Sequence, residues 1–381
     1  MIRSEDEVID SIEKAMKSSR SGNIIIEEYM EGAEYSIESL IYNGTMTITG
    51  FAERHIYYPP YFIEMGHTMP AVLDKKTHDE LISVFAQGVK SLGLSSGAAK
   101  ADIKYTKKGP MIGEIAGRLS GGYMSGWTYP YASDLNLTEQ AVKISCGMIP
   151  CELIEKRIPV DYECCGNSKN SKPPFDLFEV ICNKTSAERA WISIPGTVKY
   201  IENIEDFTDK AVQNILPRCL VKIDSEVDFP RNNVEKCGNI ISLSKSRDVA
   251  VKTAQSAVSD IFISLYPNNK KTDDFLQSKN NYFEKDFPPS AFNGISSEKV
   301  EVLSGNIAEN KSIFGEIPDF LQTKDISSLI DWNYNTIKET ARKFDVLRKI
   351  HPSMNRKEFW KALIKGGIQG AVYYSDSQIG K

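Results

Sequence analysis

Residues 97–118, "GAAKADIKYTKKGPMIGEIAGR", constrain the fold more than any other stretch. Two runs that alternate between polar and apolar residues meet at Lys107–Gly109. A period of two marks a half-buried strand, and a short break with glycine between two such runs predicts a β-hairpin. With the turn taken as symmetric about Lys108, paired residues sum to 216 and Asp102 faces Glu114. Their Cβ atoms would lie about 5 Å apart. One face then carries Lys100, Asp102, Lys104, Glu114, Ala116 and Arg118. The other shows Ala101, Ile103 and Ile115 with Gly113 and Gly117. Two opposed carboxylates repel, and a divalent cation between them reverses the sign. Hard oxygen ligands suit Mg²⁺, with Mn²⁺ as an alternative, and such an ion keeps waters and bridges phosphates. Arg118 offers a fork that matches phosphate oxygens. The following "SGGYMSG" supplies backbone N–H groups with few bulky side chains in the way. These are the parts that phosphoryl transfer needs. The same pattern also describes a solvated hairpin whose charges pair across the strands.

The rest of the composition narrows the partners. The chain has 381 residues, which predicts two or three domains. A net charge of −5 gives no field for nucleic acid or an anionic membrane, so small molecules are the expected partners. The seven cysteines are odd in number and form no C-x-x-C pair, and there are four histidines. Neither a zinc site nor a disulfide framework is expected, and reduced thiols fit a cytoplasmic protein. "MIRSEDEVID" is charged and is not a signal peptide. No apolar run approaches the roughly 18 residues of a membrane span.

Along the chain, residues 4–18 predict a helix, with Ser4 and Glu7 as a capping box and Val8, Ile9, Ile12 and Met16 as its stripe. "NIIIEEYM" reads as a buried strand. The next segment predicts a hairpin turning at Asn43–Gly44. Residues 75–94 predict a helix with Leu81, Val84, Phe85 and Val89 inward, and residues 137–147 a short one. From about 151 strand-like segments dominate, closed by one helix over 246–266. Residues 267–325 read as an extended connection. Two helices end the chain, the last with Asn355 and Glu358 as a capping box and Gly366 as its stop.

The motifs, in this order and spacing, resemble the ATP-grasp superfamily, most closely its carboxylate–amine ligases. The matching pieces are "IIIEEYMEGAEYSIESLIYNG", "EMGHTMPAVL", "GAAKADIKYTKKGPMIGEIAGRLSGG" and "PRNNVEKCGNIISLSKSRDVAVKTAQSAV", covering roughly residues 1–265. The resemblance implies an α+β fold: an ATP-grasp palm of antiparallel sheet with helices, a β-rich C-terminal subdomain and a helical tail. It divides the chain into a lid remnant (1–22), the palm (23–150), the β-rich domain (151–266), the connection (267–325) and the tail (326–381). It implies ATP and Mg²⁺ as cofactors. Glu27, Glu28, Tyr29 and Met30 would bind adenine, and Glu34 the ribose. Asp102 and Glu114 would ligate the metal, and Arg118 would contact the phosphate and the acyl-phosphate intermediate. The reaction implied is phosphorylation of a carboxylate by ATP and attack of an amine on the acyl phosphate. Two departures stand out. Ala116 occupies the position where the family often has an asparagine ligand. A preceding substrate domain and most of the lid are expected but not matched, so the chain reads either as a fragment or as one part of a split enzyme whose partner chain supplies the front half. A non-catalytic binding or assembly subunit, and a homo-oligomer, are the alternatives.

Single residues add weaker candidates. Arg54 and His55 end a strand that leads toward the site, and either face a substrate carboxylate or form a surface pair. Lys100 lies beside Asp102 and either pairs a substrate anion or neutralises the acids. Gly121 and Gly122 would approach substrate. "YYPPYF" (57–62) is expected to pack, His67 to be structural, and Cys164–Cys165 to be non-catalytic. The Trp332–Leu347 stripe is expected to be packing.

Overall fold

The computed structural model describes residues 2–160, 174–204, 215–278, 287–303 and 312–379. Its main element is a ten-stranded sheet. Strands β1 (Gly32–Tyr42), β2 (Thr45–Tyr57) and β3 (Ile63–Met69) come first. Next come β4 (Gly97–Thr106), β5 (Gly109–Ala116), β6 (Arg157–Pro159), β7 (Asp176–Val180) and β8 (Thr185–Trp191). The later strands are β9 (Gly196–Glu202), β10 (Ile215–Cys219), β11 (Glu226–Val227), β12 (Gly238–Ser244) and β13 (Phe262–Leu265). The order across the sheet is β10-β12-β8-β3-β2-β1-β4-β5, antiparallel throughout. β7 joins β2 in parallel and pairs with β6. β9, β11 and β13 form a small second sheet.

Local chemistry explains the joints. Asn43 and Gly44 both take positive φ, 50° and 75°, so the two-residue turn between β1 and β2 matches the strand twist. Helix α2 (Lys75–Ser91) starts where the Asp74 carboxylate accepts the Thr77 N–H. It buries Leu81, Phe85 and Val89 against Ile37, Ala101 and Ile103 on one face of the sheet. Tyr129, Leu135 and Leu137 cover Leu40 and Ala52 in a second cluster. The largest core lies where β8 and β12 meet helix α3 (Arg247–Asp260) and the C-terminal helices α4 (Ile337–Leu347) and α5 (Arg356–Gln378).

Several expectations needed correction. "NIIIEEYM" is in no strand, and Ile25 and Ile26 are 83% and 71% exposed. A β-prone run becomes a strand only when a partner strand satisfies its backbone, and none does so here among the described residues. Ser4 makes no capping bond; the Glu7 carboxylate instead accepts the Arg3 N–H, and a short 3₁₀ turn precedes helix α1 (Val8–Ser18). The segment 246–266 is helix only to Asp260, and β13 follows. α5 does not stop at Gly366. Gly367, at φ 59°, kinks it and the helix runs on to Gln378. The strand character after residue 150 marks no break in the sheet, because β8, β10 and β12 continue it. The connection over 267–325 contains short helices, and Phe275, Phe292, Ile313 and Leu321 are core residues. Tyr58, in the "YYPPYF" loop, packs against Phe229. Cys164 and Cys165 lie outside the described residues.

Candidate active site

The site sits on the polar face of β1, β2, β4 and β5, and the register of the sheet puts its charges together. Glu34, Ser36 and Glu38 on β1 pair with Lys104, Asp102 and Lys100 on β4. On the other side of β4, Asp102 is opposite Glu114 as expected, but by a different route. The turn holds only Lys107 and Lys108, so Thr106 pairs with Gly109 and Ile103 with Ile112. Continued unbroken, that register would set Asp102 against Gly113. A β-bulge between Ile103 and Asp102 takes up Gly113 as an extra residue and returns Glu114 to the polar face. Glycine suits the position, since a Cβ there would lie 3.3 Å from the Asp102 carbonyl oxygen.

Arg54 is the hub of this face. Its Nη1 lies 2.6 Å from Glu34 Oε1 and 3.0 Å from Asp102 Oδ2. Its Nε and Nη2 clasp Glu64 at 3.3 and 3.1 Å, the fork-to-fork geometry that makes such pairs strong. Burial alone would lower the pKa of this guanidinium, but Glu64, Asp102 and Glu34 outweigh it and hold the pKa above its ordinary value. Lys100, nearly buried, sets its Nζ 2.9 Å from Asp102 and 3.1 Å from Glu114, between the two opposed carboxylates. Lys104 pairs Glu34 at 3.3 Å. Arg118 is exposed, 3.9 Å from Glu114, and donates to the Leu119 carbonyl.

The remaining candidates divide. Glu27 and Glu28 are exposed, and Glu28 pairs Lys108 at 2.8 Å. Tyr29 stacks on Phe62, with Lys104 over its ring. Met30 reaches the bulge at Gly113. These residues border the hairpin rather than sit in the ion-pair cluster. His55 is not brought into the cluster: alternation turns it to the opposite face, where its Nε2 meets Thr68 Oγ1 at 3.0 Å. Burial pushes its pKa down to about 3, helped by the charge of Arg189, so it is neutral.

Two acids were missed. Glu38 is fully buried, and its Oε2 accepts the Ser120 N–H and the Ser125 hydroxyl, both at 2.5 Å. It thereby pins the glycine-rich turn to β1. Burial pushes its carboxyl up, against the hydrogen bonds of Ser120 and Ser125 and the charge of Lys100. The alternation Glu34–Ser36–Glu38 was the signal that could have found it. Glu64 had none, because it reaches the site only through the β2–β3 pairing.

Beside the hairpin lies a cavity of about 520 Å³, bordered by Glu64, Gly121, Trp127, Arg218, Lys236 and Asn239 among others. Gly122 also lines it, so both candidate glycines border it. Behind it is a buried polar cluster. Glu188 accepts from Asn239 Nδ2 and lies 3.4 Å from His67 Nδ1. His67 Nε2 meets Thr128 Oγ1 at 2.8 Å. Burial holds His67 neutral, with its pKa pushed down to about 3, and pushes Glu188 up to about 7. Among the described residues no three acidic, histidine or cysteine side chains converge as a metal cage.

Residues 2–126 match the sequence model of the ATP-grasp domain. The mixed α/β fold with its large antiparallel sheet agrees with that match. Human carnosine synthase 1 is 26% identical over 128 residues, 33% of this chain and 15% of its own length. The uncharacterized protein y4rH of Sinorhizobium fredii is 22% identical over 249 residues, 65% of this chain and 45% of its own. The chain thus spans less than half the length of these curated relatives. Among solved structures, the L-amino acid ligase of Bacillus licheniformis superposes with a TM-score of 0.57 at 15% identity, over 70% of this chain and 60% of that one. The phosphoribosylglycinamide synthetase of Anaerococcus prevotii gives 0.50 at 17%, over 69% and 61%. No helix among the described residues is long and apolar enough to cross a membrane.

Proposed function

We propose that the chain is the nucleotide-binding and metal-binding part of an ATP-dependent carboxylate–amine ligase. ATP would phosphorylate a carboxylate, and an amine would attack the acyl phosphate to give an amide, ADP and phosphate. The observation that carries this reading is the opposition of Asp102 and Glu114 on the bulged hairpin, ringed by Arg54, Lys100 and Arg118 and next to the cavity beside Gly121 and Gly122. Relatives named carnosine synthase and L-amino acid ligase support the reaction class.

The donor set fits a hard cation. Two carboxylates hold an ion that keeps waters and takes phosphate oxygens, and Lys100 already marks a point between them where positive charge is stabilised. Mg²⁺, or Mn²⁺ in its place, would supply neutralisation of phosphate charge there. Arg118, tied only loosely to Glu114, is placed to clamp a transferred phosphoryl group. Glu38 fixes the turn whose N–H groups would meet phosphate. Glu27 to Met30 would border the adenine, and Glu34, steadied by Arg54 and Lys104, would accept from the ribose.

A binding or assembly role without catalysis is the second reading. Lys100 favours it by neutralising both acids, as does Ala116 at the place of a further ligand. Under either reading, Ile9, Ile25 and Ile26, at 72%, 83% and 71% exposure, ask for a cover. We read that cover as a further segment, a separate chain or a second copy that completes the nucleotide site. Titration of MgATP into the chain tests the assembly role, since absence of saturable binding would favour it. In the complete enzyme, Glu114→Gln should abolish ADP release, and near-normal release would sink the assignment.

A further inference from the structure

Lys100 has carboxylates on two sides and is bound to those on one of them. Its Nζ lies 2.9 Å from Asp102 Oδ2 and 3.1 Å from Glu114 Oε1, and its side chain is nearly buried. Asp102 Oδ2 also takes Arg54 Nη1 at 3.0 Å, so an acid proposed to hold a divalent ion already meets two protein cations. The other side is the neighbouring strand. Glu38 on β1 is paired directly with Lys100 on β4. Paired residues of antiparallel strands set their side chains on the same face, with Cβ atoms about 5 Å apart. Glu38 is fully buried. Its Oε2 is spent on Ser120 and Ser125, while its Oε1 has no hydrogen-bond partner among the described residues. A buried carboxylate oxygen without a donor costs free energy, and a charged donor suits it best. The flexible stem of a lysine lets its ammonium turn from one carboxylate to another.

We infer that Lys100 is a tethered cation that competes with the divalent ion for Asp102 and Glu114, and that it withdraws to Glu38 Oε1 when the ion takes its place. Lys100 faces a carboxylate in both positions, so neither leaves its charge uncompensated. Without nucleotide the pair binds a free divalent ion weakly, because the ion must displace an ammonium already held by two acids. Nucleotide phosphates add the negative charge that the acids have spent on Lys100 and Arg54, so the ion enters together with them. The part played by nucleotide rests on the ligase reading above; the competition between Lys100 and the ion does not. Glu38, which anchors the glycine-rich turn through one oxygen, thereby receives the displaced lysine on the other.

The test titrates Mn²⁺ into the full chain without nucleotide and reads bound ion from the loss of the free-ion electron paramagnetic resonance signal. Lys100→Met keeps an apolar stem and removes the charge. Without that positive charge beside the ion, Mn²⁺ affinity should rise about tenfold or more. Adding Glu114→Gln to Lys100→Met should cancel the gain, as expected of an ion held at the pair. Glu38→Gln should lower the affinity in the presence of Lys100 and leave it unchanged in the Lys100→Met background. Circular dichroism checks each fold, and Lys100→Gln replaces Lys100→Met if that variant does not fold. The inference is overturned if removing the charge of Lys100 leaves Mn²⁺ affinity unchanged, if the gain survives Glu114→Gln, or if Glu38→Gln acts alike with and without Lys100. Binding of MnATP is read separately. A gain in Mn²⁺ affinity without MnATP binding supports the competition and removes the nucleotide reading. MnATP binding without that gain does the reverse.

Discussion

Arg54 shows how much one side chain can hold together. It neutralises Glu34, Glu64 and Asp102, which come from three different strands. Removing one partner of a buried ion pair leaves charge uncompensated, typically at a cost of about 3–5 kcal/mol. Arg54→Met should lower the stability by roughly that amount in a urea titration, and a loss below about 1 kcal/mol would contradict the hub role. Glu188 gives a prediction with a sign. Its pKa rises from the ordinary 4.5 to about 7, so between those values the native chain binds more protons than the unfolded one. Its contribution is therefore greatest below pH 4.5 and is lost as pH rises through 7. Lys236, Glu64, Arg189, His67 and Asn239 face it. His67, held near 3, acts oppositely, adding stability as pH rises from 3 to 6.5. Comparing wild type with Glu188→Gln removes every term but the first. The difference in unfolding free energy should shift by on the order of 3 kcal/mol from acid to neutral pH. A difference independent of pH would refute it. Arg54 was legible in the sequence as a strand-end group, whereas Glu64 and Glu188 were not. Their partners lie on strands whose pairing no local pattern announces.

At the scale of elements, small residues decide how closely strands and turns approach. Gly50 on β2 stands beneath the Tyr129 ring, and a Cβ there would come within 2.3 Å of it. Tyr129 is fully buried and cannot swing aside, so Gly50→Ala should cost about 1–3 kcal/mol by overpacking. Gly121 has open space around it, and Gly121→Ala should stay within about 0.5 kcal/mol of wild type. Thermal melts of the two variants check the contrast, and equal melting points would show the packing argument to be wrong. The hairpin carries a related lesson. Assuming a symmetric turn at Lys108 gave the correct opposition of Asp102 and Glu114, yet the true turn is one residue shorter and Gly113 makes up the difference. Strand alternation was visible in the residues. The bulge was not, because a glycine inside a strand suggests a bulge without fixing where it falls.

For the whole molecule, the C-terminal helices are part of the core rather than an appendage. Phe344, Phe359, Trp360 and Leu363 are fully buried in the same cluster as Trp191, Ile194 and Phe275. Gln369 stitches α5 to the sheets, accepting the Ile194 N–H and donating to Ser193 Oγ and the Ile263 carbonyl. A chain ending at residue 325 should therefore lose cooperative unfolding and bind a hydrophobic dye. An unchanged melting transition of that truncated chain would show the tail to be separable.

The sequence alone determined the hairpins, α2, the Asp102–Glu114 pair and the resemblance to ATP-grasp ligases. All of these rest on contacts short in sequence, where period, turn residues and caps are decisive. Only the tertiary structure decided that residues 23–31 lie exposed apart from the half-buried Ile24 and Met30, that Lys100 sits between the two acids and that Arg54 gathers three carboxylates. It also decided that Arg218 and Asn239 share a cavity with Glu64. Residues as distant in sequence as Glu64 on β3 and Asn239 on β12 meet there because β8 pairs with both strands. Such pairings depend on which surfaces can be buried together rather than on any local pattern.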